Sequence, residues 1–276
     1  MKLQLFGLSL VCSMVIAAAC VVVPAPSQQT EKLGGSLTDS ELYRLFQMSR
    51  AAWRERDEFL ETGWQLEYHL DETTNTLVLL IEEDSTLYVI FRGSQVRRSA
   101  LDRRYNTMIA RRRPGFGGLP RDVRTHIGFT TKYLGIRETV LREVRRSSAS
   151  RIVTVGHSAG GALALLAFVD LLDVEPQRLS HTVSFGAPRV FNRAGVNLLQ
   201  PQQRRIVRVV NEADIVPRLP WTLFGYRHVG KQIDIGGNGG IRIASQFDHD
   251  PGYEYSLRQR ARAAGADQQF FSAFGH

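Results

Sequence analysis

The chain has 276 residues, 43% of them hydrophobic and 22% charged, with a formal net charge of +8. That length suits one large domain or two small ones, and that apolar share builds a packed core rather than a disordered chain. The positive balance would match an anionic partner or none in particular. Aromatic-studded basic strands, zinc-finger spacings and helix-turn-helix cues are missing, so no nucleic-acid partner is expected.

The first residues form a separate unit. Lys2 is followed by an uncharged run from Leu3 to Val23, with an apolar stretch from Leu5 to Ala19. One positive charge, an apolar region and small residues before a cleavage point describe a signal peptide over residues 1–19. The run Ala17-Ala18-Ala19-Cys20 resembles the lipobox of bacterial lipoproteins, which would leave Cys20 as a lipidated N-terminus. Soluble secretion, or retention of the segment as an anchor, are the other outcomes. Residues 20–35 read as a flexible tether. The chain has only two cysteines, Cys12 and Cys20, so the processed part would hold no disulfide.

Along the body, Thr38 to Glu41 is a capping box that opens a helix, with Leu42, Leu45, Phe46 and Ala52 at helical spacing. Leu77–Ile81 and Leu87–Phe91 read as a hairpin. Residues from Thr130 to about Arg146 read as a helix, with Tyr133, Ile136, Val140, Leu141 and Val144 on one side. Strand patterns recur at 152–155, 182–185 and 206–210. Strands alternating with helices imply a mostly parallel central sheet covered on both faces. The stretch from Gln95 to Arg124 holds nine arginines, among them Arg111, Arg112 and Arg113, and reads as a surface excursion. It is either a lid or anionic headgroup site, since arginine forks match phosphate, or a solvated basic loop.

Gly156-His157-Ser158-Ala159-Gly160 lies between the β-branched run Ile152–Val155 and the apolar run Ala162–Ala167. A strand, a G-x-S-x-G turn and a helix make a nucleophile elbow. The turn holds Ser158 above the sheet at a helix N-terminus, whose free N–H groups suit a developing oxyanion. A serine needs a neutral histidine to take its proton and an acid to orient that histidine, here in the chain order Ser, acid, His. Asp214, in a turn after the strand 206–210, is the acid candidate, with Glu212 as its rival. Asp170 and Asp173 fall in or at the end of the elbow helix and are expected to face solvent. The base must come from His228, His249 or His276, and the residues alone barely separate the first two. Oxyanion donors are expected from the N–H of Ala159 and from Ser94, at the end of the Phe91 strand. No cluster with metal-ligand spacing is visible, so neither metal nor cofactor is expected.

These segments together resemble the class 3, or fungal-type, lipases. The matching pieces are Phe91-Arg92-Gly93-Ser94, His126-Ile127-Gly128-Phe129, the elbow, Phe185-Gly186-Ala187-Pro188-Arg189-Val190-Phe191-Asn192 and Asn211 to Pro220. The resemblance implies a single α/β-hydrolase domain over residues 36–276. It implies Ser158 as nucleophile, Asp214 as acid, and Ser94 with Ala159 as oxyanion donors. It also assigns Tyr226-Arg227-His228-Val229-Gly230 to a segment that does not supply the base, which leaves His249. Many members carry an apolar lid after the oxyanion serine, where this chain is arginine-rich. The expected activity is hydrolysis of acylglycerols or related lipid esters at a membrane or lipid surface. The alternatives are a phospholipase A1 that uses the arginines on phosphate, and a non-catalytic, membrane-tethered lipid-binding protein. The oligomeric state is not legible.

Overall fold

The computed structural model describes residues 37–53, 66–212, 214–236 and 249–274, with only the backbone of His249 and Asp250. The expected signal, Cys20, the tether and His276 lie outside the described residues. In chain order the elements are α1 (Asp39–Ala51), β1 (Leu66–Asp71), β2 (Thr76–Glu83), β3 (Thr86–Phe91), α2 (Ala100–Thr107), β4 (Arg111–Arg112), β5 (Thr125–His126) and α3 (Ile127–Arg146). There follow β6 (Arg151–His157), α4 (Ala159–Val174), β7 (Leu179–Phe185), β8 (Phe191–Asn192), α5 (Arg193–Leu198), β9 (Ile206–Val210), β10 (Tyr226–Arg227), β11 (Lys231–Asp234), α6 (His249–Ala263) and α7 (Gln268–Ser272).

The main sheet runs β1-β2-β3-β6-β7-β9-β11. The first three strands are antiparallel, and β3, β6, β7, β9 and β11 are parallel. Strand side chains alternate between two cores, as the pleat requires. Val78, Leu80, Val89 and Phe91 join α3 and α4 on one face. Leu77, Leu79, Ile90, Val153 and Val155 join α1, α6 and α7 on the other. A smaller antiparallel sheet, β10-β8-β5-β4, ties distant loops together. The expected sheet, hairpin and helix are all present. The hairpin turns through Asp84 and Ser85, both at positive φ, as a tight two-residue connection demands.

Local chemistry explains the helix starts. Glu41 N–H donates to Thr38 Oγ1 at 3.2 Å and Thr38 N–H to Glu41 Oε2 at 2.7 Å, which completes the capping box. At the start of α3, Phe129 N–H donates to His126 Nδ1 at 3.3 Å, so an imidazole serves as the cap.

One expectation fails. Asp173 is exposed, but Asp170 is fully buried. It accepts from Tyr133 Oη at 2.7 Å and from Arg137 Nε at 2.6 Å and Nη2 at 3.1 Å. The elbow helix α4 is apolar almost all round and packs on both the sheet and α3. Position 170 therefore faces α3 rather than water, and the forked guanidinium satisfies its carboxylate.

His126 and His181 are buried, and burial pushes their imidazoles down to about 4 and about 3 from the ordinary 6.5. Nearby Arg151 and Arg205 lower His181 further. A lowered folded value means that the unfolded chain takes up the proton first as pH falls. The stabilisation is whole above about 6.5 and is lost as pH drops through the folded values. Melting temperature should fall as pH is lowered from 6.5 towards 4. His126→Asn, which keeps a cap acceptor for Phe129 N–H, should shed its share of that slope when melting is followed by circular dichroism.

Candidate active site

The elbow is a backbone clasp. Ser158 sits at φ 57°, ψ −130°, where a side chain is strained, between β6 and α4. A Cβ on Gly160 would collide with the Phe91 carbonyl oxygen, and one on Gly156 with the Gly160 carbonyl. Only glycine lets α4 start this close to the end of β3. Ser158 N–H donates to the Phe185 carbonyl at 2.8 Å, so the β7 end holds the serine as well.

The end of β3 brings the second oxyanion candidate. A Cβ on Gly93 would stand 2.9 Å from the His157 carbonyl oxygen and 3.4 Å from Ser158 Cβ. The Gly93-Ser94 turn therefore lies directly against the elbow. Among the described residues, neither Ser94 N–H nor Ala159 N–H has a hydrogen-bond acceptor. Two amides left open beside a strained serine are what an oxyanion site requires. The Ser94 hydroxyl donates to Asn106 Oδ1, 3.0 Å away on α2. Sequence reasoning missed Asn106, because nothing local marks a residue twelve positions on as its acceptor. His157, directly before Ser158, is buried with Phe46 and Tyr253 edge-on to its ring.

Asp214 is buried and Glu212 exposed, so burial favours Asp214 as the acid. Its Oδ1 accepts from Val216 N–H at 2.9 Å, and its Oδ2 accepts from Tyr253 Oη at 2.9 Å. Tyr253 Oη in turn accepts from Asn211 N–H at 3.0 Å. Burial, then the Asp214 charge, pushes the Tyr253 phenol up, so it stays a donor. Gly186, at φ 58°, follows β7, and a Cβ there would lie 2.7 Å from Asp214 Oδ2. The contact of Tyr253 with Asp214 is a second one that nothing local in the sequence marks. His249 stands in the first turn of α6. Pro251 fits there, since a first-turn N–H has no helical partner. The His249 side chain is outside the described part.

His228 is occupied elsewhere. Its Nε2 lies 2.6 Å from the Pro217 carbonyl, and burial, with Arg208 and Arg189 nearby, lowers it to about 3.

The arginine-rich excursion is partly ordered as α2 and β4 and is pinned to the body. Asp102, the one buried residue of α2, accepts from Lys132 Nζ at 2.6 Å, Gln95 N–H at 2.7 Å and Asn75 Nδ2 at 3.0 Å. Lys132 Nζ also donates to the Thr74 carbonyl at 2.7 Å. The Arg111 guanidinium lies against Gly225; Arg111 and Arg113 are exposed and Arg112 half-buried. Among the described residues no group of His, Cys, Asp and Glu could hold a metal ion, and no helix is long and apolar enough to cross a membrane.

The pin has a measurable size. Asp102→Ala would strand a buried ammonium and should cost about 3–5 kcal/mol in urea unfolding. Adding Lys132→Met should recover most of that loss, because the orphaned charge goes with it.

Comparison with known proteins came to the same region. A family model described as Lipase (class 3) matches residues 88–224. A lipase of Rhizomucor miehei is 33% identical over 168 residues, 58% of this chain and 44% of that protein. A chloroplastic phospholipase A(1) of Arabidopsis thaliana is 33% identical over 99 residues, 33% of this chain and 22% of that protein. The chain thus spans under half the length of these curated relatives. The solved triacylglyceride lipase of Rhizomucor miehei superposes with a TM-score of 0.58 at 23% identity, covering 77% of this chain and 82% of that one. This likeness shows the α/β-hydrolase fold, a mostly parallel sheet flanked by helices.

Proposed function

We propose that this chain, which belongs to the class 3 lipase family through residues 88–224, is a serine carboxylester hydrolase acting on acylglycerols or related lipid esters. The observation that carries the reading is the meeting of three chain ends at one rim. The strained Ser158 stands beside the open amides of Ala159 and Ser94, and the buried Asp214 is gripped by Tyr253 of α6. Position 249 lies four residues before Tyr253, one turn earlier on the same helix face. The residue that contacts the acid is thus one turn from the histidine we assign as base.

In this mechanism Ser158 Oγ attacks the ester carbonyl while His249 accepts its proton. Asp214 orients the imidazole and stabilises the imidazolium. The tetrahedral oxyanion accepts from Ala159 N–H and Ser94 N–H. His249 then gives the proton to the departing alcohol, leaving an acyl-enzyme. Water, deprotonated by the same histidine, releases the fatty acid and restores Ser158. A phospholipase A1 is the second reading, supported by the exposed Arg111 and Arg113 and by the likeness to a plant phospholipase A(1). Under either reading the body, residues 36–276, works as a single exported unit. Its anchor would be acylated Cys20, so Cys20→Ala should abolish palmitate incorporation in cells.

Hydrolysis of p-nitrophenyl butyrate and palmitate, with triacylglycerol and phosphatidylglycerol alongside, tests the reading. Ser158→Ala and His249→Asn should each lose at least about 10⁴-fold in kcat, and Asp214→Asn about 10⁴-fold. His228→Asn should show no comparable loss. Folded protein that releases no acid from any of these in a Ser158-dependent way would instead favour a non-catalytic lipid-binding role.

A further inference from the structure

The loop that carries Asp214 leaves β9 at the end of the sheet where Ser158 leaves β6, and continues into a short 3-10 turn, Thr222–Phe224. Its tip is apolar and stands in water. Leu223 is 87% exposed and Trp221 57% exposed, and the Trp221 and Phe224 rings stack with centroids 6.3 Å apart. Val96 and Ile215, on loops leaving the same ends of β3 and β9, are also exposed, as is Ile109 after α2. A convex tip of this composition has no reason to remain in water unless it enters an apolar phase.

The tip is braced by cations. Arg227 Nη1 donates to the Thr222 carbonyl at 2.7 Å, and Arg189 Nη1 to the Pro220 carbonyl at 3.0 Å. Arg218 Nη2 donates to the Glu212 carbonyl at 3.3 Å, and the Arg111 guanidinium packs on Gly225, beside Phe224. All these bonds go to backbone carbonyls, which leaves each charge whole. Among the described residues none of the four arginines has a carboxylate partner. The charges also act on one another, since Arg227 lowers Arg189 beyond the effect of burial. Uncompensated like charge around an apolar tip calls for a surface that is anionic outside and hydrocarbon within. An acidic protein groove would satisfy the charge, but it would have to enclose a tip that projects rather than recedes. A lipid leaflet accepts such a tip without a preformed cavity. Tryptophan favours the interfacial depth, and arginine forks match lipid phosphates.

We propose that residues 221–224 form a membrane-insertion wedge: Trp221, Leu223 and Phe224 enter an anionic leaflet while Arg111, Arg218 and Arg227 engage its phosphates. Docking this way turns the Ser158 rim onto the lipid. That last consequence rests on the hydrolase reading, but the wedge itself does not.

The test uses the full chain with vesicles of phosphatidylcholine, with and without phosphatidylglycerol, carrying brominated acyl chains. The leader is common to every variant, so differences between variants report the tip. With phosphatidylglycerol present, tryptophan emission should be quenched, and Trp221→Phe should remove most of the quenching while binding persists. Leu223→Asp should weaken vesicle partition about tenfold or more. Arg111→Gln should weaken it severalfold, and added salt should erase that difference. Hydrolysis of soluble p-nitrophenyl butyrate should be unchanged in Leu223→Asp. Ser158→Ala should still insert its tip, which separates this result from failure of the hydrolase reading. Quenching that Trp221→Phe leaves intact, equal partition onto neutral vesicles, or wild-type partition by Leu223→Asp would each overturn the wedge.

Discussion

The rest of the site hangs on the approach of two backbones, the first turn of α4 on the last peptide of β3. Gly160 rests where its side chain would strike the Phe91 carbonyl, and Gly156 where its own would strike Gly160. The approach sets Ser158 at φ 57°, a conformation that costs on the order of 1–3 kcal/mol and persists only where the surroundings over-determine it. Here they do. β6 is held by parallel neighbours on both sides, and the Phe185 carbonyl takes the Ser158 N–H. At the far side of α4, Asp170 locks the helix to Tyr133 and Arg137 of α3. The same approach brings Ser94 to the elbow, so Ser158, Ala159 and Ser94 are set beside one another by a single contact.

Asp214 is held by a different part of the chain. Tyr253 reaches Asp214 from α6, and α6 is held to α1 by Tyr43, Arg50 and Gln47, all on Glu254. Burial, then the Glu254 contact, pushes the Tyr43 phenol up, out of the range where it would ionise and repel that carboxylate. Arg260 on Asp39 adds a second tie, 2.8 Å long. Residues before position 52 thus hold the helix that supplies Tyr253 to Asp214. The N-terminal capping box is distant in sequence from any catalytic motif, yet it starts the helix against which α6 is aligned.

What was legible in the sequence follows the range of the physics. The elbow, the hairpin and the long helix α3 are written in neighbours a few residues apart, and all of them stand in the structure. Asp214 was legible from its place after a strand, though its grip by Tyr253, 39 positions on, was not. Asp170 was misread because a polar residue in a helix is expected outside, and α4 has almost no outside. The edge strand β1 mixes exposed and half-buried residues without alternation, so nothing in Leu66–Asp71 announced it. Nothing among the nine arginines marks Asp102 as the residue that pins the excursion. Its partner Lys132 lies 30 residues away, where only tertiary structure could pair them.

The excess charge has a structural origin of its own. Arg205 donates to the carbonyls of Leu179 and Ser180. Arg189 and Arg227 do the same at the loop after Asp214. A guanidinium can close a loop by capping several carbonyls at once, which a single ammonium cannot reach in the same plane. A carbonyl, unlike a carboxylate, leaves the positive charge uncancelled. Each loop closed this way therefore adds to the field outside it. Where such loops gather at one rim, beside apolar side chains that the core does not take, the means of holding the fold also set which surface the rim attracts.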